Sequence, residues 1–147
     1  MRVYIGADHR GFNLKEELKV WLKKKGYEVV DVGAYEFNEE DDYPDFGEKV
    51  AKEIAGNREE RGILLCGSGH GMDITANRFK EVRSILGFNL EVVKQGRLHE
   101  DANVLSLPAD WVDEELAKEM VRMFLETEFF GEARHRRRIE KLEMVGD

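Results

Sequence analysis

Gly62-Ile63-Leu64-Leu65-Cys66-Gly67-Ser68-Gly69-His70-Gly71 is the stretch that decides the fold. A short apolar run ends at a loop with glycine at every second position, and a helix-like stretch from Met72 to Phe79 follows. Such a run reads as a buried strand of a parallel α/β sheet, and small molecules bind outside the carboxyl ends of strands of that kind. Glycines there let backbone N–H groups approach an anion, and the following helix N-terminus adds partial positive charge. Cys66, the only cysteine, closes the strand. A thiol in that field is expected to ionise below the ~8.5 of a free cysteine. Position alone also leaves open a buried structural cysteine at a strand end.

Outward from this segment, apolar runs alternate with helical periods. Val3 to Ala7 predicts a first strand, and Leu14, Leu18, Trp21 and Leu22 share one face of a helix that Gly26 ends. Glu28 to Val32 predicts a second strand. Pro44 suits the first turn of a helix whose inner stripe is Phe46, Val50 and Ile54. Val82–Leu86 and Val104–Leu107 predict two further strands, with a helix over Leu90–Leu98 between them. Leu116, Met120 and Phe124 mark another helix, and a terminal helix begins near Ala133. The alternation predicts one α/β domain over residues 1–147, a parallel sheet covered by helices on both faces.

Composition narrows the function classes. The net charge of −8 argues against general nucleic-acid binding, although Arg134-His135-Arg136-Arg137-Arg138 is a basic island. The apolar runs are too short for a membrane span. The first residues read as a strand rather than a signal peptide, so the cytoplasm is the expected compartment. Familiar phosphate loops do not fit. Gly71 is followed by Met72, not by the Lys-Ser/Thr of a P-loop, and the first strand leads into Asp8-His9-Arg10-Gly11 rather than a dinucleotide fingerprint. His9, His70, His99 and His135 lack close metal-ligand spacing.

Six segments in order carry a resemblance: Ala7-Asp8-His9-Arg10-Gly11-Phe12, Asp42-Tyr43-Pro44, Gly62 through Gly69, Ala76-Asn77-Arg78, His99-x-Asp101-Ala102-Asn103-Val104-Leu105, and Arg134-His135-x-x-Arg138. Over nearly the whole chain this resembles ribose-5-phosphate isomerase B and its galactose-6-phosphate isomerase relatives. The resemblance implies a three-layer Rossmann-like domain with a five-stranded parallel sheet. It implies a homodimer, or a dimer of dimers, with active sites between subunits. It also implies interconversion of aldose and ketose sugar phosphates through an enediolate, with no metal or other cofactor. Such chemistry needs one mobile base, an oxyanion site and a grip on the distant phosphate. By the family pattern Cys66 is the base, and Ser68 with Gly67, Gly69, His70 and Gly71 forms the oxyanion site. His99 donates the proton that opens the sugar ring, with Asp8 close by. Tyr43 lies near the substrate, and His9, Arg134 and Arg138 hold the phosphate. Read as residues alone, Asp8 could cap the first helix, Tyr43 could pack on its loop, and His99 could be a surface residue after a helix.

The chain departs from the family pattern at several positions. Glu100 stands where asparagine is usual and Asp110 where arginine is usual; His70 and Asp73 are also atypical. One branch of the family uses a glutamate base where this chain has Met72, which cannot take a proton. Two carboxylates beside an anion are costly unless paired or solvated. Either Arg136, Arg137 or His70 pairs with them, or the substrate is a different sugar or sugar phosphate. A non-catalytic sugar-phosphate-binding relative is the remaining alternative.

Overall fold

A computed structural model describes residues 1–147. In chain order the elements are β1 (Arg2–Ala7), α1 (Phe12–Lys24), β2 (Glu28–Asp31), α2 (Tyr43–Ile54), β3 (Arg61–Cys66), α3 (His70–Ala76), β4 (Ser84–Leu86), α4 (Leu90–Glu100), β5 (Val104–Pro108), α5 (Glu114–Glu126) and α6 (Ala133–Leu142). All strand pairings are parallel, in the order β2-β1-β3-β5-β4. The three-layer α/β expectation therefore holds.

Side-chain alternation along the strands assigns the two faces. Val3, Ile5, Ala7, Ile63, Leu65, Leu105 and Leu107 pack against α1, α4 and α5. Tyr4, Leu64, Cys66 and Val104 point the other way, onto α2 and α3. From β1 the chain crosses to β2 on one side and later to β3 on the other, so the topological switch lies between β1 and β3. Their carboxyl ends are level, with Ala7 beside Leu65 and, one strand further, Cys66 beside Pro108. A crevice opens above such a switch, and Asp8 and Gly67 begin the loops that flank it.

Several boundaries differ from the periodicity reading. The third helix begins at His70 and stops at Ala76, because Asn77 turns away and its side chain bonds both backbone groups of Ser84 (3.0 and 2.7 Å). β4 holds only three residues, since Val82 belongs to a turn closed onto Phe79. α4 runs on to Glu100, which puts His99 inside its last turn rather than after the helix. Asp8 is not a helix cap; Gly11 holds that position in α1.

Lys15 interrupts the apolar face of α1. It is fully buried, and its ammonium donates to Asp31 Oδ2 (2.8 Å) and Glu16 Oε1 (2.9 Å), while Lys19 donates to the same two carboxylates. Burial by itself would raise the Asp31 carboxyl, but the hydrogen bonds from Lys15, Lys19 and the Gly33 N–H hold it below the usual range. That stabilisation is present above the free carboxylate value and is lost as pH falls through the lowered one. Asp31→Asn leaves a buried ammonium short of its partner and should cost about 3 kcal/mol in urea unfolding at neutral pH. Unchanged stability would mean that Glu16 alone satisfies Lys15.

Candidate active site

Three loops meet above the carboxyl ends of β1, β3 and β5. Backbone bonds tie them together: Asp8 N–H donates to the Leu65 carbonyl (3.3 Å), Ala109 N–H to Cys66 (2.9 Å) and Asp110 N–H to Gly67 (3.0 Å). Asp8 is buried, and its Oδ1 accepts the N–H groups of Arg10 (3.0 Å) and Gly11 (3.2 Å). Burial lifts its carboxyl above the usual range despite those two bonds. His9 donates to Asp41 Oδ1 twice, from its backbone N–H (2.9 Å) and from Nδ1 (2.7 Å). The Asp41 carboxylate is the main reason that His9 holds its proton to higher pH than a free imidazole. Asp41 Oδ2 is buried without a partner. Asp8, His9 and Asp41 offer donor atoms within 4.8 Å of one another, but His9 Nδ1 and Asp8 Oδ1 are already engaged in the bonds just described.

Cys66 ends β3 with 4% of its surface exposed. Its thiol is not made more acidic in the free protein. Burial pushes it up, and the negative charge of Asp8 adds to the rise; the N–H groups of Met72, Gly69 and Gly71 offset this only in part. The expectation of a readily ionised thiol gave too much weight to the loop donors and too little to desolvation. Gly69 turns the loop into α3 with φ of 77°, a conformation that glycine adopts without strain. Ser68 Oγ accepts the His70 N–H in a long bond of 3.4 Å. Tyr43, in the first turn of α2, lays its ring on Gly71, where a Cβ would come within 2.4 Å of it. Met72 is fully buried beside Cys66 in the core under α2 and α3. Asp73 is half-buried, with Oδ1 unpartnered and its carboxyl raised by burial. Asp110 does not pair with Arg136, Arg137 or His70. Its partner is Arg10, through Oδ2 and Nη2.

The remaining predicted residues lie elsewhere. α4 descends to the amino edge of the sheet, where the carbonyls of Glu100 and Asp101 accept Arg83 Nε just ahead of β4. β5 then climbs from Val104, level with Gly62, to Pro108, level with Cys66. The four steps from Val104 to Pro108 rise about 13 Å, so His99 and Glu100 sit a strand's length or more from the thiol. His99 stacks face to face on His135 of α6, with ring centroids 4.6 Å apart and planes 6° from parallel. Arg134 pairs with Glu132 (3.0 Å), and Arg138 is exposed. Within one chain Asp8, His9, Tyr43, Cys66, Ser68, the loop glycines and Asp110 come together; His99, Glu100, Arg134 and Arg138 do not join them. Sequence reasoning missed Arg10, Asp41 and His135 as participants. Arg10 and His135 stood inside the quoted motifs, whereas nothing in the acidic loop singles out Asp41.

A profile of the Ribose/Galactose Isomerase family matches residues 3–142. The chain is 36% identical over 144 residues to ribose-5-phosphate isomerase B of Escherichia coli, covering 98% of this chain and 95% of that protein. Among solved structures, a ribose 5-phosphate isomerase from Thermotoga maritima superposes with a TM-score of 0.93 at 43% identity, over 98% of both chains. Ribose-5-phosphate isomerase B from Mycoplasma genitalium with bound ribulose-5-phosphate gives 0.93 at 38% identity, over 97% of this chain and 93% of that one. The family profile, the sequence likeness and the shared fold each span nearly the whole length, and this chain belongs to the Ribose/Galactose Isomerase family.

Proposed function

We propose that this chain interconverts ribose 5-phosphate and ribulose 5-phosphate, with Cys66 as the base that moves a proton between C2 and C1. The observation that carries the reading is a lone thiol at the end of β3, ringed by the N–H groups of Gly69, Gly71 and Met72 and adjoined by Asp8. The thiolate takes the C2 proton, the C2–H electron pair forms the C1–C2 double bond and the carbonyl pair moves onto O1; the O2 hydroxyl proton then passes to O1, and the same sulfur returns the carbon proton to C1 as the C2 carbonyl forms. Backbone donors of residues 67–71 and the Ser68 hydroxyl stabilise the oxyanion. A high thiol pKa leaves little thiolate at neutral pH and makes that thiolate a stronger base. Asp8, held above the usual carboxylate range by burial, suits the exchange of the anomeric hydroxyl proton during ring opening. His9, whose proton the bond to Asp41 holds to higher pH, suits a phosphate.

His99, Arg134 and Arg138 act in this reading from a second copy of the chain. Their position at the amino edge supports a homodimer in which each site takes its thiol from one subunit and its ring-opening histidine from the other. The alternative of a different sugar rests on Glu100 alone, whose exposed carboxylate has no cationic partner; Asp110 is already paired.

Cys66→Ala should abolish exchange of the C2 proton of ribose 5-phosphate in deuterated water while leaving substrate affinity within about threefold. Exchange at the parental rate would remove Cys66 as the base. Mixing Cys66→Ala with His99→Asn, each inactive alone, and allowing subunits to exchange should restore about a quarter of parental activity, because half of a two-fold mixture is hybrid and each hybrid holds one intact site. No recovery would place both residues in the same subunit's site. Asp41→Asn should return His9 toward the ordinary value of ~6.5. The pair stabilises the fold below that value and ceases to as pH rises through the raised one. KM for ribose 5-phosphate should therefore rise in the variant only between pH ~6.5 and the raised His9 value, with kcat little changed. An equal loss at all pH values would make Asp41 a purely structural residue.

A further inference from the structure

The loops above the sheet bring together three carboxylates, Asp8, Asp41 and Asp110, in a place where an anion is expected. Asp8 is answered by two backbone N–H groups and Asp41 by His9. Asp110 is answered by Arg10, 100 positions earlier in the chain. Both partners lie on the backbone between the thiol and Ser68. A Cβ built on Gly67 would fall 2.7 Å from Arg10 Nε, 2.8 Å from Asp110 Oδ2 and 3.0 Å from Arg10 Cδ. Each is fixed at its base, since the Asp110 N–H donates to the Gly67 carbonyl (3.0 Å) and the Arg10 N–H to Asp8 Oδ1 (3.0 Å).

We propose that Arg10 binds the phosphate of the ligand in this site, with Asp110 as the residue that positions its guanidinium. Arginine recognises phosphate through a planar fork of five N–H donors. Arg10 spends only Nη2 on protein, and its side chain is 59% exposed. Its other N–H donors carry no protein partner. His9, the adjacent residue, supplies a second cation. Aspartate at position 110, where the family usually has arginine, thus does not leave the site without a guanidinium. The cation comes from the β1 loop instead of the β5 loop, and the aspartate holds it over Gly67. An exposed ion pair contributes little to stability, so a purely structural pair would leave no trace in ligand binding.

This inference rests on the isomerase reading for the identity of the ligand, but its test does not depend on turnover. Calorimetric affinities for inorganic phosphate and for ribose 5-phosphate are measured beside the isomerisation rate for the parent, Arg10→Ala, Arg10→Lys, Asp110→Ala, and Arg10→Ala combined with Asp110→Arg. Arg10→Ala should weaken both ligands and raise KM on the order of 10- to 100-fold, with kcat within about threefold and thermal stability unchanged. Arg10→Lys should lose less, keeping the charge without the fork. Asp110→Ala should weaken both ligands by about three- to tenfold, less than Arg10→Ala, because the cation remains but is no longer held over Gly67; parental affinity in this variant would remove Asp110 as a positioning residue. The combined variant should regain most of the affinity, its guanidinium now reaching the crevice from the other loop. Parental affinity in Arg10→Ala, or no recovery in the combined variant, overturns the proposal. A parent that binds phosphate through Arg10 but does not isomerise ribose 5-phosphate would sustain it while removing the reading of the reaction. A parent that binds neither ligand defeats both.

Discussion

The site depends on one constraint, the parallel register that brings the carboxyl ends of β1, β3 and β5 level. Ala7 beside Leu65 and Cys66 beside Pro108 set the height of three loops at once. The N–H bonds from Asp8, Ala109 and Asp110 to carbonyls of residues 65–67 then lock those loops edge to edge. A slip of one residue in β3 would turn Cys66 from the α2 and α3 face to the α1, α4 and α5 face and bury Gly67 in its place. The chemistry of the thiol is thus fixed first by backbone pairing and only then by its neighbours.

Charge is managed differently at the two sides of β1. On the α1 side Lys15 and Lys19 meet Asp31 and Glu16, with Lys15 wholly removed from water. At the strand ends the balance runs the other way: carboxylates sit in a crevice suited to anions, and each is answered by a backbone N–H pair, an imidazole or a guanidinium. The resulting field is less positive than a glycine loop at a helix start would give alone. Burial remains the main reason that the Cys66 thiol is raised, with the Asp8 charge adding to it, and the bond to Asp41 lets His9 hold its proton to higher pH.

Much of this was legible in the sequence. The sheet and its covering helices followed from short apolar runs punctuated by glycine, and both observed faces match the alternation. Boundaries slipped where polar residues ended a periodic pattern too soon, as His99 and Glu100 did for α4. Lys15 could not be read at all, because a lysine on an apolar face is explained only by Asp31 arriving from β2. The pairs Arg10–Asp110 and His9–Asp41 are invisible for the same reason: charged residues carry no periodicity, and their partners are 100 and 32 positions away. Family resemblance gathered Cys66 and His99 into one site, but it could not say that a single chain keeps them at opposite edges of its sheet.

The stacked rings of His99 and His135 make the seat of α6 on α4 a matter of acidity. Burial, followed by the charges of His99 and Arg134, already holds the His135 imidazole below its ordinary proton affinity. Two imidazolium rings face to face at 4.6 Å would repel each other. A proton on His135 works against the contact, whose contribution is lost as pH falls through the lowered His135 value. The joint that seats the terminal helix, and with it Arg134 and Arg138, is therefore one that acid loosens.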